Sequence, residues 1–440
     1  MIISILASFV AFLDGSVVNV ALPAISRNFG GGLTIQQWVV DAYLIMLGSF
    51  ILLAGSLSDL FGRKRILYIG LVGFGAASLL CAAAPNGAFL IIARGLQGIA
   101  GALLVPSSLA LIISSFLGSA QGKAIGTWTA WTGISFVIGP LLGGFLVDVA
   151  SWRLIFAINV VPIAVCLLLL GLLKQPRDNK KVTLDIVGAV LCSAGLFGFV
   201  FGLIEQPRYG WHSAAILLPL VGGICALAAF IWYEHRNPAA MLPLSLFKIR
   251  NFRVGNIATL AIYGGLSIAT FLVVIFLQQV SGYSAFSAGL ALLPVTIIMF
   301  LCSPRFGALA GKFGPRLFMA VGPMVASAGF LWMLRVGTPL HYWSELLPGI
   351  IIFGLGLATT VAPLTAAVLG HIAKEQAGIA SAVNNAVARI AGLITIAFAG
   401  VVVGAHLNLT GFHRAILVTA LLVMTGGVVS AVGIRNRKTE

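Results

Sequence analysis

Long apolar runs recur from one end of the chain to the other, broken by short clusters of charge, glycine and proline. A helix crosses a bilayer with about 20 mainly apolar residues. On that template the pattern predicts fourteen spans, at about 2–25, 35–57, 66–84, 88–114, 123–148, 153–173, 184–206, 213–233, 254–280, 285–310, 316–335, 343–369, 378–403 and 413–434. The first run has the apolarity of a signal peptide. Asp14 interrupts it, no basic segment precedes it and many spans follow, so it is read as the first span.

Composition closes off the soluble alternative. The 440 residues are 60% hydrophobic and 8% charged, too little polar surface to cover a globule in water. The expected fold class is therefore an all-α polytopic membrane protein. A net charge of +15 would suggest nucleic acid in a soluble protein, but here its placement matters more than its sum. The connections on the side of the two termini carry Arg63, Lys64, Arg65, Lys123, Lys174, Arg177, Lys180, Lys181, Arg236, Lys248, Arg250, Arg253, Lys312, Arg316, Lys374, Arg435, Arg437 and Lys438. The opposite connections hold Arg27, Arg153, Arg208, Arg335 and Arg414. This asymmetry predicts both termini in the cytoplasm, and an even number of spans is what makes it consistent.

The most polar long segments, KQPRDNKK (Lys174 to Lys181) and Glu234 to Arg253, bracket two spans between six earlier and six later ones. The expected organisation is an N-terminal six-helix bundle (1–173), linkers with two extra helices (174–253) and a C-terminal six-helix bundle (254–440). An echo supports duplication of the sixes. GSLSDLFGRKR (Gly55 to Arg65) follows the second span, and GALAGKFGPR (Gly307 to Arg316) follows the tenth. Repeated halves are the mark of transporters that rock about a central site.

The remaining chemistry is sparse. Cys81, Cys166, Cys192, Cys225 and Cys302 all fall in predicted spans, without C-x-x-C spacing, and read as small apolar fillers. His212, His235, His341, His371, His406 and His413 are scattered, with no metal-ligand spacing, and neither a Gly-x-Ser-x-Gly elbow nor a P-loop occurs. The chain is expected not to be an enzyme, to hold no cofactor or metal, and to draw its energy from a proton gradient. Asp14 lies about 18 Å along its span, near the bilayer midplane. A carboxylate there is costly unless paired, watered or protonated, and such residues are functional candidates by default. Asp41 is the second candidate, nearer the mouth of its span. Arg94, Gln97, Gly98 and Gly101 recur at i, i+3, i+4 and i+7 on one helix face, and Arg94 is predicted to pair with one of the two acids. Gly139 and Gly143 form a small-x-x-x-small pair, and Gly133, Pro140 and Gly144 share a face of the same span. Asp185 and Glu205, near the ends of the seventh span, are hydrated cheaply and are assigned no chemistry.

Four motifs carry a resemblance across essentially the whole chain: LDGSVVNVALP (Leu13 to Pro23), the Gly55 to Arg65 segment, RGLQGIAG (Arg94 to Gly101) and GISFVIGPLLGG (Gly133 to Gly144). Trp152 to Asn159 and Leu277 to Ser284 add to them. The chain resembles the major facilitator superfamily and, within it, the fourteen-span drug:proton antiporter family. The resemblance implies two six-helix bundles plus two inserted helices, alternating access, and export of hydrophobic or amphipathic drug-like molecules coupled to protons. It implies coupling roles for Asp14, Asp41 and Arg94, a gating segment of Gly55, Asp59, Gly62, Arg63 and Arg65, and an antiporter motif of Gly133, Gly139, Pro140, Gly143 and Gly144. Asn19, Gln97, Trp131, Gln278, Asn385 and Arg389 are assigned to the substrate cavity, with Trp128 and Phe136 as further aromatic contacts. Gly311 stands where the first half has Asp59, so that acid's role is not duplicated. Expected partners are a small-molecule substrate and the lipid bilayer, with a functional monomer in a bacterial inner membrane, no nucleic acid, and a periplasmic adaptor and outer-membrane channel as possible additions. The rival readings are a dedicated transporter of one metabolite, anionic if Arg389 binds it, and a non-transporting sensor or membrane-embedded enzyme.

Overall fold

A computed structural model describes residues 1–116, 118–172, 184–237, 240–370, 372, 376–404 and 407–436. Lys174, Arg177, Lys180, Lys181, His371, Lys374, His406, Arg437 and Lys438 lie outside the described residues, as do the side chains of Asp59, Lys123 and Phe136. Fourteen helices among the described residues are long and apolar enough to cross a membrane. They are α1 (Ile2–Phe29), α2 (Gly32–Phe61), α3 (Arg63–Ala82), α4 (Gly87–Ser115), α5 (Gly118–Val149), α6 (Leu154–Gly171), α7 (Ile186–Ile204) and α8 (Ala214–Arg236). The series continues with α9 (Arg250–Gln279), α10 (Ala285–Phe313), α11 (Pro315–Trp332), α12 (Leu347–Leu369), α13 (Ala377–Ala397) and α14 (Leu409–Gly433).

The chain folds as two compact units, one of residues 1–242 with 284–286, the other of 243–283 with 287–440. In the first, α2 packs on α4, α3 on α4, and α1 on α5. The inserted helices α7 and α8 pack on each other, and α7 also packs on α2, so the pair belongs with the first six. Trp38 of α2 fastens that contact. Its Nε1 donates to Glu205 Oε1 at 2.8 Å, and its ring meets Phe197 and Phe201. In the second unit α11 packs on α12 and α14, and α9 on α13 and α14. Glycines set the closest approaches. A side chain at Gly322 or Gly356 would run into the other helix's backbone across the α11–α12 seam, the approach that small residues allow where lipid removes the usual hydrophobic drive.

Local signals place the helix ends. Asn86 caps α4 by accepting from Phe89 N, and Asn408 caps α14 by accepting from Gly411 N, both at 2.8 Å. The segment read as a loop from Gly55 to Arg65 is almost entirely helical. α2 runs to Phe61 and α3 starts at Arg63, leaving Gly62 as the whole turn, with φ +91°. The second half repeats this between α10 and α11 through Gly314, φ +82°. Only glycine adopts such a backbone without a steric penalty, so one residue reverses the chain where a longer loop was expected. α6 tightens midway into i→i+3 bonds, Asn159 N to Phe156 O and Val161 N to Ile158 O.

Candidate functional site

The interior of the first unit holds a charged cluster built from five helices, α1, α2, α3, α4 and α6. Arg94 of α4 is 1% exposed and Asp14 of α1 is 0% exposed. Arg94 Nη1 donates to Asp14 Oδ2 at 2.7 Å and to Gln97 Oε1 at 2.6 Å, while its Nε donates to the Val39 carbonyl of α2 at 3.0 Å. The other carboxylate oxygen, Asp14 Oδ1, accepts from Gln97 Nε2 at 2.8 Å and from Asn159 Nδ2 at 3.0 Å. Ser78 Oγ of α3 accepts from Gln97 Nε2 at 2.9 Å. Beneath the guanidinium lies the Tyr43 ring, 4.3 Å from its carbon, with Phe156 at 5.6 Å. A buried ion pair repays its desolvation only when the remaining donors and acceptors are also satisfied. Here Asp14 receives three donors, and the aromatic faces add cation–π attraction.

The helix register explains the cluster. Arg94 and Gln97 stand one turn apart on one face of α4, so one strip of helix supplies two donors to the same carboxylate. Gly98 and Gly101 bring that face close. A side chain at Gly98 would strike the Tyr43 carbonyl, and one at Gly101 would meet the Tyr43 hydroxyl and Phe74. Arg94 thus pairs with Asp14, one of the two partners expected. Gln97, assigned to the substrate cavity from sequence, is 0% exposed and gives both ends of its amide to this cluster. A glutamine on a membrane helix carries no mark in the sequence of which neighbour it faces.

Asp41 differs sharply from Asp14. It is 0% exposed, and neither of its carboxyl oxygens has a hydrogen-bond partner among the described residues. It lies nearer the mouth of its span in sequence than Asp14 does, yet it is just as deeply buried.

The glycine pattern of α5 divides in two. Side chains at Gly139 or Gly143 would collide with α1, at Ser16 and Val17 for the first and at Val17 and Val20 for the second. This is the pair read as small-x-x-x-small. Gly144 likewise sits against the backbone of residues 285 and 286, and Pro140 lies within the helix. Gly133 is exposed, with open space where a Cβ would stand, so it takes no part in that packing. Trp128 Nε1 donates to Ser8 Oγ at 3.0 Å, which ties α5 to α1, while Trp131 is 50% exposed. Asn19 is partly exposed on α1. Of the gating residues, Gly55 is open around its Cβ position, Arg65 is exposed, and Arg63 Nη1 donates to the Ala110 carbonyl of α4 at 3.0 Å.

In the second unit a cavity of about 110 Å³ is lined by Tyr263, Thr365, Leu369, Ser381, Asn384, Asn385 and Ala388. Asn385 stands at it exposed, and Arg389, one turn further along α13, is electrostatically felt by Tyr263. Asn384 Nδ2 donates to Asn256 Oδ1 at 3.1 Å and to Thr259 Oγ1 at 2.9 Å, joining α13 to α9 with neutral groups. Gln278 is buried on α9, remote in sequence from this lining. Sequence reasoning missed Asn159, Ser78 and Tyr43 as members of the Asp14 cluster. Asn159 stood within a recognised motif, and a polar residue just inside an apolar run was the available signal.

Comparison with known proteins agrees with this architecture. Residues 4–189 and 184–396 match the family model described as Major Facilitator Superfamily. The chain is 35% identical over 418 residues to the multidrug resistance protein Stp of Mycobacterium tuberculosis, covering 92% of this chain and 75% of that one. It is 34% identical to the puromycin resistance protein pur8 of Streptomyces alboniger, covering 90% and 80%, and 33% identical to a methylenomycin A resistance protein of Bacillus subtilis, covering 94% and 89%. Among solved structures, a D-xylose-proton symporter aligns with a TM-score of 0.71 at 15% identity, over 99% of this chain and 97% of that one. The xylose transporter XylE from E. coli aligns at 0.68 and 16%, over 100% and 98%.

Proposed function

The chain belongs to the major facilitator superfamily, and from that premise we propose that it exports drug-like hydrophobic or amphipathic molecules in exchange for protons, by alternating access. Its relatives named for multidrug, puromycin and methylenomycin resistance support export and the substrate class. The observation that carries the coupling is the contrast between two buried acids in one unit. Asp14 is held by Arg94, Gln97 and Asn159, while neither carboxyl oxygen of Asp41 has a hydrogen-bond partner among the described residues. An isolated carboxylate in such surroundings costs several kcal/mol. We therefore assign the coupled proton to Asp41, while Asp14 is paired with Arg94.

Arg94 links the two acids mechanically. It grips Asp14 through Nη1 and, through Nε, the α2 carbonyl two residues before Asp41. Loss of the Asp41 proton would leave an unpaired charge in the interior of α2, and a movement of α2 that relieves it would pull on Arg94 through the Val39 carbonyl and loosen its hold on Asp14. A conformational bias of this kind is what couples a proton to two-state access. In the second unit, Asn385 at the cavity and Arg389 one turn beyond it supply substrate contacts. Both termini lie in the cytoplasm, by the basic excess of their connections. The protein works as a monomer in a bacterial inner membrane, and a two-membrane host would add a periplasmic adaptor and outer-membrane channel.

The test is proton flux in proteoliposomes under an imposed pH gradient, with a panel of lipophilic cations, neutral drugs and organic anions. Wild type should dissipate the gradient with at least one class, and Asp41→Asn and Asp14→Asn should not. Flux that survives in Asp41→Asn would overturn the assignment of the proton to that residue. Silence across the whole panel would overturn drug antiport.

A further inference from the structure

Outside the Asp14 cluster, the inserted helices contain a second pair of buried acids. Asp185 and Glu234 are each 3% exposed, at the start of α7 and near the end of α8. Asp185 Oδ1 caps α7 by accepting from Gly188 N at 2.8 Å, and its Oδ2 accepts from Met241 N at 3.2 Å. Glu234 Oε2 accepts from Leu242 N at 2.7 Å. That leaves Glu234 Oε1, buried and with no donor of its own, turned toward Asp185. Gly188 makes the meeting possible, because a side chain there would run into both Glu234 Oε1 and Asp185 Oδ2.

Among the described residues, neither acid is in an ion pair. The titratable groups facing it are Tyr233 of α8 and Cys192 of α7, both neutral in their ordinary state. His235 and Arg236 follow on α8 but are exposed, and the Arg236 guanidinium sits over the Trp232 ring at 4.6 Å. Two carboxylates that face each other across one glycine in a buried place cannot both stay ionised without a large cost.

We propose that Asp185 and Glu234 form a proton-binding site, with one proton carried on Glu234 Oε1 and donated to Asp185 Oδ2. The site is separate from the coupling acids and clamps the connector out of α8. The same two side chains accept from Met241 N and Leu242 N, so the shared proton fastens the chain just before it enters the second unit at residue 243. Removing the proton sets two negative charges against each other and frees that backbone. The inserted pair thereby acts as a pH-responsive clasp on the connector.

The test uses the full-length protein in lipid nanodiscs and reads hydrogen-exchange protection factors, already corrected for intrinsic rates, across residues 240–249. In wild type, protection should fall by roughly tenfold or more between about pH 5 and 9. Glu234→Gln keeps a donor toward Asp185 and an acceptor for Leu242 N, so its protection should stay high and flat. Gly188→Ala, which drives the acids apart, should have low protection at every pH. Wild-type protection that does not change with pH, or an identical fall in Glu234→Gln, would overturn the proposal. None of these readouts depends on transport, so the result stands apart from the fate of the proton-coupling assignment.

Discussion

The interiors of the two units solve the same problem with different chemistry. In the first, polar groups between helices are ionic: Arg94 against Asp14, with Gln97, Asn159 and Ser78 completing the shell. In the second, the joint of α9 and α13 is neutral, Asn384 to Asn256 and Thr259. Asp14 receives three donors at the first joint and Asn384 donates twice at the second, but only the first contains ionisable groups. The halves share a helical plan and the one-glycine turns at Gly62 and Gly314, so the difference lies in side chains and not in fold. The buried ion pair among the described residues thus lies in the first unit, while the second unit's cavity is lined by uncharged side chains.

The comparison breaks most severely at Arg94. Arg94→Ala leaves Asp14 buried without its cation and should cost about 3–5 kcal/mol in SDS-titrated unfolding. The double variant Asp14→Asn/Arg94→Gln makes the first interior as neutral as the second. It should recover most of that stability yet show no substrate-driven proton flux, and recovered flux would refute the division of labour.

The turns sharpen the contrast at intermediate size. Gly314→Ala should cost about 3 kcal/mol, because its methyl meets Asn436 as well as a positive φ, whereas Gly62→Ala has open space and only the backbone strain, about 1–2 kcal/mol. Comparable losses at the two positions would show that Asn436 yields freely. A smaller effect is expected at the neutral joint. Asn384→Ala should cost about 1 kcal/mol and leave the pH dependence of flux unchanged, and a shifted pH profile would place coupling in both halves. Least of all, Asn385→Ala should alter stability by less than about 0.5 kcal/mol, since this exposed side chain returns only to the Ser381 carbonyl of its own helix. Its measurable consequence should be a change in the drug concentration giving half-maximal flux.

Much of this was legible in the residues themselves. Fourteen apolar stretches, their two-by-two separation from polar connections and the repeated glycine turns follow from local rules, because each bilayer-crossing helix must satisfy its own backbone and cover itself with apolar side chains. The i, i+3 spacing of Arg94 and Gln97 announced a shared face, and Asp14 announced itself by its depth. Which acid Arg94 would meet was not legible, nor that Gln97 would join it, nor that Asn159 would arrive from α6. Those depend on how α1, α3, α4 and α6 rotate against one another, and rotation is set by small-residue contacts such as Gly98 on Tyr43 and Gly139 on Ser16.

Hydration was misjudged for the same reason. Asp41 and Asp185 lie near the ends of apolar runs, where a sequence suggests contact with water, yet both are enclosed by neighbouring helices and backbone. The sequence by itself determined that this protein spans a membrane as a duplicated helical bundle with a few costly charges inside it, because hydropathy and helix geometry act within each segment. Only the tertiary structure decided which charges are paired, which acid stands alone and which two acids touch, because burial and pairing belong to contacts between segments far apart in the chain.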